Sequence, residues 1–227
     1  MQRKVPFAIG EHYHVYSRGV EKRDIFLDQK DFERFIGLLY ITNQEQPFHL
    51  GNYLKRHTVT ELFANEKSTP LVSILGYCLM SNHFHLILYE KRENGISTFM
   101  MRLLTAYSMY FNMKYKRSGP LFTRPFRSQH IEDSAYYLHI FSYVHMNPLD
   151  VLCADWKTGI INNQQKAEEL LLEYPYSSYF EFLEKKRPQS VILDMSNIPE
   201  EVLRAPLNIF NYERFFEDTE INMEGSP

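Results

Sequence analysis

Length, composition and charge describe an ordinary globular protein. The chain has 227 residues, of which 44% are hydrophobic, which suffices for one domain with a sizeable core. A formal net charge of −3 and two cysteines exclude a disulfide framework and a uniformly basic protein. No signal-type stretch and no run near the roughly 20 apolar residues of a membrane span is present, so we expect a cytoplasmic protein without membrane contact.

The first predicted elements are a strand and a helix. Alternating residues indicate a strand near residues 12–17, which ends at the turn signal Arg18-Gly19. Apolar residues at helical spacing then predict a helix, with Asp31 as its N-cap candidate. Residues 43–70 are polar and mixed, and they are interpreted as an insertion with a short strand around 48–54.

A hairpin and a long helix follow. Residues 71–80 and 82–89 are apolar runs joined by a very short polar turn, which predicts two antiparallel strands. Apolar residues at helical spacing from Ile96 to Phe111 predict an amphipathic helix that ends before the stop signal Gly119-Pro120.

A fourth strand and a last helix complete the pattern. The strand is predicted at residues 126–131, and Asp133 is expected to cap a helix that ends at Asn147, before Pro148. The order strand, helix, two strands, helix, strand is that of an α+β ferredoxin-like (RRM-like) domain. We therefore predict an antiparallel sheet with helices on one face and a further helix after the fourth strand.

His83 and His85 form the first candidate site. On a strand, residues two apart project from one face, so both imidazoles point away from Phe84, which lies between them. Neutral imidazoles are common ligands of divalent metals. A His-X-His triplet can equally be incidental, and the pattern by itself does not decide between these interpretations.

Basic and aromatic residues share a window without any Asp or Glu, which runs from Asn94 through Ile131. Its candidate DNA-binding residues are Arg102, Lys114, Lys116, Arg117, Arg124 and Arg127, with Arg18 near the first strand as a further candidate. Such a mixture suits phosphate contacts and base stacking on single-stranded nucleic acid. A solvated helix face beside the core is the alternative interpretation.

The last predicted helix carries the second candidate site. Tyr143 and Asn147 are four residues apart and so share a helical face. Next to a divalent ion, a tyrosine oxygen can attack phosphorus, and the Asn147 carbonyl could complete a metal site with the two imidazoles. Tyr143 is one of 16 tyrosines, so a packing role is the simpler interpretation of the local pattern.

Several ordered motifs together resemble the single-tyrosine HUH transposases of small bacterial insertion sequences, including the REP-associated tyrosine transposases. The matching segments span roughly residues 8–180 and are YHVYSRGV from Tyr13, YCLMSNHFH from Tyr77, YFN from Tyr110, GPLF from Gly119, YVHMNP from Tyr143 and YPYSSY from Tyr174. Two departures are Ser81, where such proteins commonly have proline, and the long insertion at 43–70.

The resemblance implies a function and a site. It implies a transposase domain at residues 1–180 that cleaves and rejoins hairpin-forming single-stranded DNA, with 181–227 as a C-terminal extension. Tyr143 would attack a phosphodiester and form a 5′-phosphotyrosine link, while His83 and His85 would hold Mg²⁺ or Mn²⁺ with help from Asn147. A homodimer is expected, and the site could assemble within one chain or between two.

Two alternatives remain open from the sequence. One is a domesticated DNA-binding protein that keeps the fold but cuts nothing. The other is a metal-dependent phosphodiesterase in which a water molecule attacks and Tyr143 only packs. In the C-terminal extension, the aromatic residues Phe210, Tyr212, Phe215 and Phe216 are expected to pack on the domain or on a dimer mate.

Overall fold

A four-stranded antiparallel sheet forms the centre of the fold in the computed structural model of the protein, which describes residues 6–64, 69–151, 163–183 and 185–204. The strands are β1 His12–Arg18, β2 Val72–Met80, β3 His83–Glu90 and β4 Arg127–Ile131. Their spatial order is β2-β3-β1-β4, and each neighbouring pair is antiparallel. This arrangement confirms the predicted ferredoxin-like α+β fold.

The helices of the described residues connect or follow these strands. They are α1 Gln29–Thr42, α2 Leu50–Tyr53, α3 Val59–Leu62, α4 Gly95–Lys114, α5 Ser134–Met146, α6 Gln164–Glu173 and α7 Glu200–Arg204. Short 3-10 turns include Pro188–Ile192 and Met195–Asn197. As predicted, α5 follows the fourth strand.

Two local predictions in the first half were wrong. The N-cap of α1 is Asp28, whose side chain accepts from the Asp31 amide, and Asp31 closes the capping box from the third helical position. The strand expected around residues 48–54 is instead the short helix α2, which His49 caps by accepting from the Asn52 amide. In both places an N-cap side chain, which accepts from the amide three residues later, decides where the helix begins.

The two faces of the sheet are covered by different helices. Phe84, Leu86 and Leu88 of β3 join a buried cluster with residues of α1 and α4. On the opposite face, Ile87 joins a second cluster with α5 and α6. The first two long helices thus share one face, as expected, while α5 closes the other and lies over the histidine pair.

Segments from the C-terminal part cover the free edge of β2. The Leu79 amide donates to the Tyr176 carbonyl at 3.0 Å, and the Asp194 amide donates to the Ile74 carbonyl at 2.9 Å. Pairing of this kind protects an edge strand from associating with other chains. Residues on both sides of the predicted boundary at residue 180 therefore contact the same strand. The aromatic residues expected to pack at 210–216 lie outside the described residues.

Candidate active site

The pleat of β3 places the two predicted imidazoles on the sheet face beneath α5. Their ring centroids are 5.0 Å apart, and their planes are perpendicular. His85 is fully buried, and His83, at the end of the strand, is partly exposed. The strand thus holds a fully buried and a partly exposed imidazole side by side, as the alternation predicts.

Helix α5 brings Tyr143 to this pair. Asp133 caps the helix by accepting from the Tyr136 amide at 2.8 Å, and the buried Ile140 and Val144 pack the helix onto the sheet. The Tyr143 ring centroid consequently lies 5.4 Å from that of His85, in an edge-to-face arrangement. The structure therefore joins the two sites that the sequence left far apart, and it does so within one chain.

Strand β1 contributes two rings that the sequence interpretation missed. In the β1–β3 register, Tyr16 is opposite His85 and His14 is opposite Ile87. The His14 Nε2 lies 2.8 Å from the His85 Nδ1, and the two rings stack with centroids 5.0 Å apart. Alternation within β1, which places His14 and Tyr16 on one face, was the available signal, but only the strand pairing identifies which face that is.

Burial sets the protonation of these groups. It lowers the pKa of His14 to about 3, with a smaller contribution from His139, and it also lowers the pKa of His139 itself. Burial raises the pKa of the Tyr143 phenol well above its usual value. His14 and His139 are therefore neutral near neutral pH, and the Tyr143 phenol is protonated there.

Asn147 contacts the candidate nucleophile from the end of α5. Its Nδ2 donates to the Tyr143 carbonyl at 2.7 Å, and the whole side chain is buried. Its Oδ1 is buried and accepts no hydrogen bond from the residues that the structure describes. A buried amide oxygen of this kind can serve as a ligand to a cation or as an acceptor for substrate.

The donor set can be tested against a divalent ion. Within the described ranges, no three histidine, cysteine, aspartate or glutamate side chains are placed to hold a metal ion. His83 and His85 offer two nitrogen donors and Asn147 a neutral oxygen, and these donor types suit Mn²⁺ at least as well as Mg²⁺. The remaining coordination positions would fall to substrate oxygens and water.

The basic residues predicted to bind DNA divide into two groups. Arg18 is opposite His83 in the sheet and Arg127 is opposite Tyr16, so both share the face of the candidate site. Arg127 and Arg124 are exposed. Arg18 and Arg127 thus keep their predicted place beside the imidazoles, and a role in DNA binding stays a prediction for all three residues.

The other predicted basic residues lie along α4 and the turn after it. Lys114 pairs with Asp28 and the fully buried Asp31 at 2.8 and 2.7 Å, and Arg102 donates to the Gln44 carbonyl at 2.9 Å. Arg117 donates to the Asn112 amide oxygen at 2.6 Å, whereas Lys116 is exposed. Their roles in DNA binding stay predictions, and the ion pairs give Lys114 a structural role as well.

Two further basic residues lie close to the site and were not predicted. Lys22 and Arg23 are exposed in the turn after β1, which the Gly19 amide joins to the Asn82 carbonyl at 2.9 Å. Arg23 lies near enough to Arg117 to help burial lower the pKa of Arg117. Because both residues follow Arg18 closely in the sequence, they could have been predicted together with it as DNA-binding candidates.

Comparisons with known proteins relate the chain to one family and one fold. A family model described as "Transposase IS200 like" matches residues 38–147, a range that contains His83, His85, Tyr143 and Asn147. A search of curated proteins found no match. Among solved structures, the chain is similar to that of a REP-associated tyrosine transposase bound to a REP hairpin, with a TM-score of 0.50 and 11% identity over 88% of this chain and 98% of that one. At that identity the likeness shows a shared fold. No helix among the described residues is long and apolar enough to cross a membrane.

Proposed function

This chain belongs to the family of IS200-like transposases, and from that premise we propose that it cleaves and rejoins single-stranded DNA with Tyr143 as the nucleophile. Family membership makes it a DNA-processing enzyme that acts in recombination. The observation that carries the finer proposal is the position of the Tyr143 ring, 5.4 Å from His85, across from the His83–His85 pair. Packing of Tyr143 in a core would not require a pair of imidazoles beside its ring.

The proposed reaction exchanges one phosphodiester for another. The Tyr143 oxygen bonds to phosphorus while the bond from phosphorus to the 3′ oxygen breaks, which leaves a 5′-phosphotyrosine and a free 3′-hydroxyl. The phenol proton is lost in this step, and the departing oxygen gains a proton. Because the new link is again a phosphodiester, the reverse reaction on another 3′ end rejoins DNA without a nucleotide cofactor.

His83 and His85 would hold Mg²⁺ or Mn²⁺, with Asn147 as a third donor. When bound there, the ion would supply positive charge next to the scissile phosphate. The residues of the chain contribute the rest: helix α5 orients the Tyr143 oxygen, and the buried surroundings keep its proton until the phosphate arrives. His14 contacts the His85 Nδ1 through its Nε2 at 2.8 Å and so helps to fix the orientation of the His85 ring.

The proposed substrate is single-stranded DNA that folds into a hairpin. The solved relative is bound to a REP hairpin, and Arg18 and the exposed Arg127 offer phosphate contacts beside the site of this chain. A homodimer is part of the proposal and can be measured by light scattering. The proximity of Tyr143 to His85 in one chain supports chemistry that needs no tyrosine from a partner.

The test is a covalent trapping experiment. End-labelled DNA hairpins are incubated with the protein and Mn²⁺ and resolved on a denaturing gel, next to Tyr143→Phe and His83→Ala. Tyr137→Phe is the matched control, because this tyrosine lies on the same helix but packs against His12, away from the pair. We expect a slow-migrating adduct in the wild type and in the control, and none in the two site variants.

Other outcomes would identify the alternative functions. Cleavage without an adduct, still present in Tyr143→Phe, would establish hydrolysis by water and overturn the proposal. Hairpin binding without cleavage across varied hairpins would indicate a domesticated DNA-binding protein.

A further inference from the structure

The turn between β2 and β3 places an amide side chain against His83. The Asn82 Oδ1 lies 2.6 Å from the His83 Nδ1, and the Asn82 Nδ2 donates to the Lys22 carbonyl at 3.3 Å. Because the Lys22 carbonyl can only accept, the amide nitrogen of Asn82 must face it, and the amide oxygen must face His83. The oxygen in turn can only accept, so the His83 Nδ1 carries the proton of the hydrogen bond.

This hydrogen bond determines the tautomer of the ring. A neutral imidazole with its proton on Nδ1 has its lone pair on Nε2, the form that binds a metal through Nε2. The Nδ1 of His85 lies 2.8 Å from the His14 Nε2, a ring nitrogen that can donate or accept, so this contact does not determine the tautomer of His85. The Nδ1 atoms of the two imidazoles thus contact residues on two different segments: Asn82 in the β2–β3 turn contacts His83, and His14 on β1 contacts His85.

The backbone around Asn82 is anchored independently of its side chain. The Ile25 and Phe26 amides both donate to the Ser81 carbonyl, at 2.7 and 3.0 Å, and the Gly19 amide donates to the Asn82 carbonyl at 2.9 Å. A change of the Asn82 side chain therefore leaves these hydrogen bonds in place. Its effect on His83 can be separated from its effect on the turn.

We propose that Asn82 is a positioning residue, which holds His83 in the Nδ1–H tautomer and so presents the Nε2 lone pair to a divalent cation. The inference rests on the proposed function for the identity of the ligand, but the tautomer itself is a property of the metal-free protein. Partners of this kind around ligating histidines change metal affinity by about 10–100-fold when they are removed.

The first measurement needs neither metal nor DNA. The full chain is labelled with ¹⁵N in its nine histidines, and long-range proton–nitrogen spectra show which ring nitrogen carries the proton. The His83 signals are assigned by their loss in His83→Gln. We expect Nδ1–H in the wild type and a mixture of tautomers in Asn82→Ala. A wild-type ring protonated on Nε2, or an unchanged ring in Asn82→Ala, would overturn the inference.

A conservative variant separates the two contacts of Asn82. Asn82→Asp keeps an oxygen that accepts from His83 but loses the donor to Lys22. In a Mn²⁺ titration followed by the electron paramagnetic resonance of free Mn²⁺, we expect Asn82→Ala to bind about 10–100-fold more weakly, and Asn82→Asp at least as tightly as the wild type. Equal weakening in both variants would assign the effect to the Lys22 contact and overturn the inference.

The two proposals fail in different ways. A wild type that binds no Mn²⁺ and forms no adduct would refute the proposed function, while the spectra would still decide the role of Asn82. Normal adduct formation together with the wrong tautomer would refute the inference alone.

Discussion

The two faces of the central sheet differ in chemistry although the same strands build both. On β3, Phe84, Leu86 and Leu88 pack into an apolar cluster with α1 and α4. On the same strand, His83 and His85 point to the opposite face, which α5 covers and where they lie beside the Tyr143 ring. Burial of apolar groups stabilises the fold. Burial of the polar atoms of imidazoles and phenols costs free energy unless those atoms form hydrogen bonds. We therefore expect substitutions on the first face to change stability and those on the second to change chemistry.

The largest expected effect belongs to the polar face. His83→Ala should lower the rate of adduct formation by about three orders of magnitude, because a bound cation contributes several kcal/mol of charge stabilisation and each 1.36 kcal/mol is tenfold in rate. Its free energy of unfolding should change by less than about 1 kcal/mol, since the side chain is partly exposed. The rate is measured by single-turnover trapping on a hairpin, and stability by urea denaturation. A stable variant with normal adduct formation would contradict the division between faces.

The neighbouring residue on the apolar face should behave in the opposite way. Phe84 is fully buried against the Phe35 and Phe122 rings. Phe84→Ala should therefore lower the free energy of unfolding by about 3–5 kcal/mol. At a temperature where the variant is folded, its adduct formation should stay within a few-fold of the wild type. Loss of the adduct in a demonstrably folded Phe84→Ala protein would show that the faces are coupled.

A smaller effect on stability is expected from Lys114, the basic residue at the end of α4. Lys114 pairs with the buried Asp31, which also accepts from the Tyr110 and Tyr115 hydroxyls. Lys114→Ala should lower the free energy of unfolding by about 1–3 kcal/mol, because a buried carboxylate loses a charged partner. Urea denaturation checks this value. An unchanged midpoint would indicate that the tyrosine hydroxyls suffice for Asp31.

The smallest effect is expected from a basic residue on the site face. Arg127 is exposed and opposite Tyr16, so Arg127→Ala should weaken hairpin binding modestly and lower the slope of log affinity against log salt by about 1. Fluorescence anisotropy over a range of salt concentrations measures that slope. Lys114→Ala serves as the comparison, and because Asp28 and Asp31 already pair with this lysine, its slope should change less than that of Arg127→Ala. A larger change of slope in Lys114→Ala than in Arg127→Ala would reverse the assignment of the two basic groups.

Much of the fold could be predicted because its signals are local. The alternation in β1 and β3, the cap at Asp133 and the stop at Gly119-Pro120 involve residues that are near neighbours in the chain, and their steric and hydrogen-bonding preferences act without tertiary contacts. The errors at Asp31 and at residues 48–54 arose where a cap a few residues away decided the outcome. A capping side chain and the spacing of apolar residues both act over a few residues, and the two can favour different helix boundaries. The sequence therefore predicted these boundaries less well than the elements themselves.

The candidate site was predictable in its parts but not in its assembly. The sequence by itself determined that His83 and His85 share one face of a strand and that Tyr143 and Asn147 share one face of a helix, because these relations follow from the periods of the two structures. Only the tertiary structure decided that the helix lies over that strand face, that His14 stands behind His85 and that Lys114 is held by Asp31. Such contacts join residues far apart in the chain, and they depend on strand register and helix packing, which no local pattern encodes.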